Sequence, residues 1–134
     1  MSTRLAPTPT PDTQFFWDAL RAHQLLIQRC ASCSALRHPP RPMCPACNSL
    51  AWDTVAASGR GTVYSFVLPR HPPFPWFDQD YIVALIELDE GTRLVSNLCE
   101  VAPTDVTIGM PVEVVFAHFD DGLVLPQFRP VAPR

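Results

Sequence analysis

The sequence predicts a mainly β protein with three parts: a short N-terminal helix, a small ribbon organised by four cysteines, and a five-stranded barrel. Three observations support this fold class. Two Cys-x-x-Cys pairs lie ten residues apart in the first half of the chain. A series of β-type segments, separated by Gly, Asp and Pro turn signals, fills the second half. Three adjacent aromatic residues, at positions 15–17, precede both features in a segment with helical periodicity.

The first 13 residues form a predicted flexible tail, because alternating prolines and small polar residues bury too little to offset their ordering entropy. Residues 14–24 form the predicted aromatic docking helix, with Asp12 or Thr13 as its N-cap. One face of this helix comprises Phe16, Ala19, Leu20 and His23, whereas Phe15 and Trp17 lie off it. A helix of about two turns is marginal alone. We therefore expect it to dock on a surface of this chain or of another.

The two cysteine pairs predict a metal site, because two residues between thiols let both sulfurs turn towards one ion. The predicted ligands are Cys30, Cys33, Cys44 and Cys47. Four soft thiolates select zinc or iron and leave no open position for a substrate, so we expect one structural zinc ion. Iron in a rubredoxin-like redox site is the alternative, since the same ligands bind both metals. Asn48 suits the left-handed turn that follows such a pair, whereas Ser34 suits it less.

Residues 25–60 make up the predicted zinc ribbon, with strands at 25–28 and 50–56 on either side of the cysteines. Residues 61–134 make up the predicted barrel. Its five strands are expected at 62–68, 81–88, 93–98, 112–119 and 123–128. Strict alternation in the first of these strands would place Val63 and Val67 on the same face. Five short strands with one long connection before the fourth fit a Greek-key barrel of the OB type.

Composition and charge exclude several classes of function. All ten basic residues are arginines, which excludes lysine chemistry such as Schiff-base formation. Residues 1–61 carry six arginines and three acidic residues, whereas residues 62–134 carry four arginines and ten acidic residues. An acidic barrel repels the phosphates of nucleic acids. No apolar run is long enough to span a bilayer and no secretory signal is visible, so we expect a cytoplasmic protein with reduced cysteines.

The order of motifs resembles a known family. An aromatic helix, FFWDAL, precedes the ribbon motifs CASC and CPAC, and the barrel follows with GRGTVYSF, ELDEGTRLVSNL, IGMPVEVVF and LPQFRP. Over residues 14–130 this order is similar to that of acyl-CoA-associated proteins that join a rubredoxin-like zinc ribbon to an OB fold. The resemblance implies a non-catalytic accessory subunit, since the larger partner carries the catalytic residues. The partners it implies are thiolase-superfamily enzymes (thiolases, acyltransferases and retro-aldolases) or MaoC-like enoyl-CoA hydratases. The ending FDDGLVLPQFRP is most like forms from steroid side-chain degradation.

Two sets of residues are candidate contacts in such a complex. Aromatic residues of the helix and of the Pro-rich loop would bind the partner subunit, or the loop would fold back over the end of the barrel. This set comprises Phe15, Phe16, Trp17, Phe74, Trp76 and Phe77. Arginines of the ribbon half would meet the phosphates of acyl-CoA, or would form a solvated basic face. This second set comprises Arg29, Arg37, Arg41 and Arg60.

Three other functions stay open on the sequence alone. A zinc ribbon followed by an OB fold also occurs in proteins that bind single-stranded nucleic acid, although the acidic barrel opposes this function. A rubredoxin-like iron redox carrier would use the same cysteines. A stand-alone hydratase or thioesterase would need a catalytic constellation. We expect no catalytic residue, because Cys99 ends an apolar strand, and His71 and His118 are isolated in the sequence.

Overall fold

The computed structural model describes residues 4–71, 73 and 81–131. Helix α1 spans Gln14–Arg21 and leads into the ribbon. The ribbon strands are β1 (Leu26–Cys30), β2 (Leu36–Arg37) and β3 (Trp52–Ala56). They form an antiparallel sheet of order β2-β1-β3, in which β1 pairs with β3 from Leu26 opposite Ala56 to Cys30 opposite Trp52. The first cysteine pair therefore begins where the central strand ends.

A closed barrel of five strands follows the ribbon. Its strands are β4 (Arg60–Val67), β5 (Ile82–Leu88), β6 (Arg93–Leu98), β7 (Pro111–His118) and β8 (Val124–Pro130). Their order is β4-β5-β6-β8-β7, and β7 pairs back to β4. Neighbouring strands are antiparallel except β6 and β8, which meet in parallel at Leu98 and Phe128. The predicted fold class, with a short helix, a four-cysteine ribbon and a five-stranded OB barrel, is confirmed.

Two glycines at the start of β4 allow the barrel to close. Gly59 has a φ of 85°, and a Cβ at this position would collide with the side chain of Val114 on β7. A Cβ on Gly61 would collide with the backbone carbonyl of Glu87 on β5. A larger residue at either position would push β4 away from its neighbours. The Gly-x-Gly motif therefore marks where three strands come together.

A β-bulge in β4 changes which side chains face the core. The pairing of β4 with β5 shifts between Val63 and Ser65. Val63 is 1% exposed before the bulge, whereas Val67 is 60% exposed after it and Phe66 packs against the core. The prediction that Val63 and Val67 share a face is wrong, because the extra residue of a bulge reverses the alternation.

One continuous hydrophobic core joins the helix, the ribbon and the barrel. Phe16 and Leu20 of α1 pack with Ile27 of the ribbon and with Phe128 of the barrel. The shared face predicted for the helix is confirmed at Phe16, Ala19 and Leu20, which are buried. His23, also predicted on that face, follows the end of α1 and is exposed. The helix therefore docks on its own chain.

The remaining differences from prediction lie at strand ends and in short elements. Observed strand ends differ from the predicted ones by at most two residues. Strand β2 was not predicted, because two residues within a Pro-rich segment show no periodicity. The predicted aromatic loop at residues 74–77 lies outside the described residues. Among the residues that the structure describes, no helix has the length and apolar character needed to cross a membrane.

Candidate metal centre and interaction surfaces

The two cysteine pairs sit on two turns of the same geometry. After the first pair, the N–H of Ser34 donates to the carbonyl of Cys30 (3.0 Å), and after the second, the N–H of Asn48 donates to the carbonyl of Cys44 (2.8 Å). Ser34 and Asn48 have φ values of 66° and 63°. The left-handed conformation expected at Asn48 is confirmed, and Ser34 adopts it as well. Both turns therefore direct two sulfurs towards a common point.

The four sulfur atoms have the spacing of a tetrahedral metal site. The Sγ atoms of Cys30, Cys33, Cys44 and Cys47 all lie within 4.8 Å of one another. Two of the separations are 3.5 Å, between Cys30 and Cys47, and 3.7 Å, between Cys33 and Cys44. Metal–sulfur bonds of about 2.3 Å in a regular tetrahedron require sulfurs about 3.8 Å apart. The donor set therefore fits one tetrahedral, thiolate-preferring ion such as zinc.

The pKa values of Cys30, Cys44 and Cys47 also indicate a site for a cation. Hydrogen bonds from the backbone N–H groups of Cys33 and Ser32 lower the pKa of Cys30 to about 6, although burial opposes them. Backbone N–H groups of Cys47 and Ala46 likewise lower the pKa of Cys44. A backbone hydrogen bond with Ser49 lowers the pKa of Cys47, but the Cys30 thiol, burial and the other thiols outweigh it and raise that pKa to about 12. A divalent cation would offset the repulsion between neighbouring thiolates and let all four sulfurs ionise.

The four arginines predicted to meet phosphates lie in different environments. Arg29 forms a bidentate ion pair with Asp53 across the strands, with Nε–Oδ1 and Nη2–Oδ2 distances of 2.7 and 2.9 Å. This hydrogen bonding raises the pKa of Arg29 and lowers the pKa of Asp53. Arg37 is only 8% exposed, and its guanidinium donates to the backbone carbonyl of Arg41. Arg29 and Arg37 are therefore already bonded within the chain, whereas Arg41 and Arg60 are exposed.

The predicted partner-binding aromatics of the helix have unequal exposure. Phe16 is 6% exposed and belongs to the core. Phe15 is partly buried against Trp52, with ring centroids 4.9 Å apart. Trp17 is also partly buried and packs edge-on against Phe16 at 5.0 Å. The other three predicted contacts lie outside the described residues, and they are Phe74, Trp76 and Phe77.

A cleft of about 280 Å³ opens at the surface where the helix, the ribbon and the barrel meet. Trp17 lines it from α1, His38 lines it from the ribbon, and Val95 lines it from β6. Burial lowers the pKa of His38, which favours the neutral imidazole. The cleft thus offers a largely apolar surface with a neutral polar group, and it can accept an apolar side chain of another protein.

The outer face of the barrel carries exposed apolar residues that were not predicted as surface positions. Tyr64, Val67 and Val95 are 45%, 60% and 69% exposed. The sequence contained a signal for Val95, because in an alternating strand it falls on the same face as the polar residues Arg93 and Asn97. No comparable signal was available for Val67, because the bulge decides its direction.

The groups considered for catalysis lack an activated arrangement among the described residues. Cys99 is half-buried, its Sγ lies 3.5 Å from the carbonyl oxygen of Phe128, and burial raises its pKa. A raised pKa disfavours the nucleophilic thiolate. His118 is hydrogen-bonded to His23 with 2.8 Å between their Nε2 atoms, at the surface. His71 is exposed.

Two family models match consecutive parts of the chain. Residues 17–53 match the rubredoxin-like zinc ribbon domain of ChsH2, and residues 54–117 match the C-terminal OB-fold domain of ChsH2. Among solved structures, a chain of "Ltp2-ChsH2(DUF35) aldolase" superposes with a TM-score of 0.89 and 52% sequence identity. That match covers 92% of this chain and 98% of the other.

Curated relatives carry names of two kinds. A "Probable enoyl-CoA hydratase alpha subunit" of Thermomonospora curvata is 50% identical over 131 residues, which cover 98% of this chain and 41% of the relative. The "3-oxo-4,17-pregnadiene-20-carboxyl-CoA hydratase alpha subunit" of Mycobacterium tuberculosis is 44% identical, over 87% of this chain and 37% of the relative. The chain therefore spans about two fifths of the length of both. A "DUF35 domain-containing scaffold protein" of Methanocaldococcus jannaschii is 33% identical, over 86% of this chain and 88% of the relative.

Proposed function

Because the chain belongs to the DUF35 family, with a zinc ribbon and OB-fold domain of the ChsH2 type, we propose that it is a non-catalytic accessory subunit of an enzyme acting on acyl-CoA. The partner would be a thiolase-superfamily enzyme (a thiolase, acyltransferase or retro-aldolase) or a MaoC-like hydratase. The partner would supply the catalytic residues, and this chain would stabilise the complex and help to shape the acyl-CoA site.

One observation carries this proposal. The similarity at 52% identity extends over nearly all of a chain whose solved structure is named as an Ltp2-ChsH2(DUF35) aldolase. Two further relatives are named as alpha subunits of CoA-ester hydratases. A domain that is shared by proteins named for two different reactions is better explained by a supporting role than by one chemistry of its own.

We propose that the four cysteines hold one structural zinc ion. Four sulfurs around one ion leave no open coordination position, so the site would stabilise the ribbon and would not bind substrate. Such a site requires reduced thiols, which supports a cytoplasmic location. Elemental analysis should find one zinc per chain in colourless protein. Red protein containing iron would instead support a redox carrier.

Binding of single-stranded nucleic acid is poorly supported by the outer face of the barrel. OB folds that bind single strands use positively charged grooves with stacking aromatics. Here the guanidinium of Arg93 stacks on Tyr64, with its carbon 3.7 Å from the ring centroid. Arg93 also forms an ion pair with Glu87 at 3.4 Å. The neighbouring outward residues Val67 and Val95 carry no charge to meet a phosphate.

We further propose that the partner enzyme contacts the surface around the cleft at Trp17 and Val95. Trp17 is one of the aromatics predicted to bind a partner, and Val95, which lines the same cleft, is strongly exposed. Apolar residues at the rim of a cleft are typical anchors of protein interfaces. Arg41 and Arg60, the two exposed members of the predicted phosphate-binding set, would remain available to acyl-CoA in the complex.

Reconstitution with candidate large subunits tests the proposal. The zinc-loaded chain should form a stable complex with a thiolase-superfamily or MaoC-like enzyme of the same organism, measured by size-exclusion chromatography with light scattering. The complex should turn over an acyl-CoA that the purified chain leaves unchanged. Turnover by the chain alone would contradict an accessory role.

Matched variants test the docking surface. Val95→Glu and Trp17→Ala should each weaken complex formation by at least about tenfold, because a buried unpaired charge or a lost aromatic anchor is costly at an interface. Ile108→Glu is the control, since Ile108 is 67% exposed on a connection outside the strands. Equal weakening by all three variants would contradict the proposed surface.

A further inference from the structure

A groove with three arginines lies between the ribbon and the turn that joins β5 to β6. Its volume is about 430 Å³. Arg37 and Arg41 line it from the ribbon, and Thr92 and Arg93 line it from the barrel. Gly91 leaves space beside them, since a Cβ at that position would meet no atom within 4 Å. None of the described residues that line the groove is acidic. The groove therefore collects three arginines, of which Arg93 is paired with Glu87 outside the wall.

Arg37 has unused hydrogen-bonding capacity in this groove. Its Nε and Nη2 donate to the backbone carbonyl of Arg41 at 3.2 and 2.9 Å. Its Nη1 is buried and has no hydrogen-bond partner among the described residues. A guanidinium that is 8% exposed and lacks an acceptor is unfavourable, because it has lost water without gaining a compensating charge.

The barrel side of the groove also has a buried polar atom without a hydrogen-bond partner among the described residues. The Oγ1 atom of Thr92 is buried and likewise lacks a partner within the described part of the chain. Arg93 follows it, and its guanidinium is held over Tyr64 and beside Glu87, with its side chain 45% exposed. The hydroxyl of Thr92 and the guanidinium of Arg93 thus line the barrel side of the groove, while Arg37 and the exposed Arg41 line its ribbon side.

We propose that this groove binds a phosphoryl anion, either free phosphate or the phosphate of a nucleotide ester. A phosphate dianion offers several acceptor oxygens, which match the forked donors of arginine and the hydroxyl of Thr92. It would also supply the negative charge that the Arg37 environment lacks. The set differs from the one predicted from sequence, because it includes Arg93, whereas Arg29 and Arg60 do not line the groove.

The choice of a nucleotide ester rests on the proposed function, but the isolated zinc-loaded chain can test the groove without a partner enzyme. We would titrate the full chain with sodium phosphate and, separately, with adenosine 3′,5′-bisphosphate at constant ionic strength, using calorimetry and amide NMR. Saturable binding should shift the amide signals of Gly91 and Thr92. Tighter binding of the bisphosphate identifies a nucleotide ester as the ligand, whereas equal affinities identify free phosphate.

Charge-matched variants separate a built site from general attraction. Arg41→Gln and Arg93→Gln should each lower the affinity about tenfold, because each removes charge-assisted hydrogen bonds. Arg21→Gln removes an exposed arginine outside the groove and should leave the affinity unchanged. Arg37 is left intact because it also holds the Arg41 backbone. The proposal would be overturned if neither probe bound saturably, or if Arg21→Gln lowered the affinity as much as the groove variants do.

Discussion

The side chain of Gln28 exchanges two hydrogen bonds with the backbone of Arg41. Its Nε2 donates to the Arg41 carbonyl at 2.9 Å, and its Oε1 accepts from the Arg41 N–H at 2.8 Å. Gln28 is 1% exposed in the middle of β1, whereas Arg41 lies three residues before Cys44. This amide therefore fixes the second cysteine turn relative to the strand that carries the first.

Replacing Gln28 should loosen the ribbon. In Gln28→Met the side chain keeps its approximate volume but leaves the Arg41 N–H without its acceptor, so we expect a loss of about 2 kcal/mol in the free energy of unfolding. Denaturant unfolding of the zinc-loaded protein measures this change in the free energy of unfolding. Gln24→Met, at an exposed position, is the control and should unfold like the parent. If the two variants unfolded alike, the amide would have no anchoring role.

Ser34 occupies a backbone conformation that favours glycine. With φ at 66°, its backbone is strained by about 1–2 kcal/mol, and Ser34→Gly should raise the unfolding free energy by about 0.5–1 kcal/mol after the entropy of glycine is deducted. Thermal melting at fixed zinc concentration checks this. Ala31→Gly, at an exposed position of the same turn that lacks a positive φ, should be destabilising instead. Stabilisation by both substitutions would argue against a conformational cause.

Local signals carried most of the fold prediction. Cys-x-x-Cys spacing brought the four sulfurs together because two-residue turns are determined within a few residues of sequence. Strands β5 and β6 were found nearly at their observed bounds, since each has one buried and one more exposed face. Asp89 to Gly91 turn the chain between them as expected, with the Gly91 N–H donating to the carbonyl of Leu88 at 2.8 Å.

Features set by distant parts of the chain escaped prediction. The burial of Arg37 follows from the pairing of β2 with β1 and from the Arg41 carbonyl, neither of which leaves a pattern in the sequence. The outward turn of Val67 depends on the bulge in β4. The grouping of Arg93 with two ribbon arginines requires the barrel and the ribbon to meet. Arginines of similar appearance in sequence therefore have different roles in the structure.

Acid should destabilise the protein through His38. Burial lowers its folded-state pKa below the ordinary value of 6.5, so the unfolded chain binds a proton more readily. Stability is therefore lost as the pH falls below about 6.5 towards the folded-state pKa. His38→Gln should reduce the loss of unfolding free energy between pH 7 and pH 5.5, measured by denaturant titration at each pH.

The matched control for this pH dependence is His71→Gln, because His71 is exposed. Its stability should follow the parent at every pH. Acid loss of the metal affects all three proteins alike, so the difference between curves isolates His38. Superimposable curves for the parent and His38→Gln would contradict the role of burial.

Loss of the metal should unfold the tip of the ribbon and spare its base. Structural zinc contributes on the order of 10 kcal/mol in small zinc-binding peptides, far more than any single hydrogen bond here. In Cys44→Ser we expect elemental analysis to find no bound zinc and hydrogen exchange to lose protection across residues 30–51. Ile27 belongs to the core shared with the barrel, so the first half of β1 should stay protected. Cys99→Ser, which removes a thiol outside the cluster, should keep both its zinc and its protection from hydrogen exchange. If the tip of the Cys44→Ser protein stayed folded and protected, the ribbon would be held without a metal.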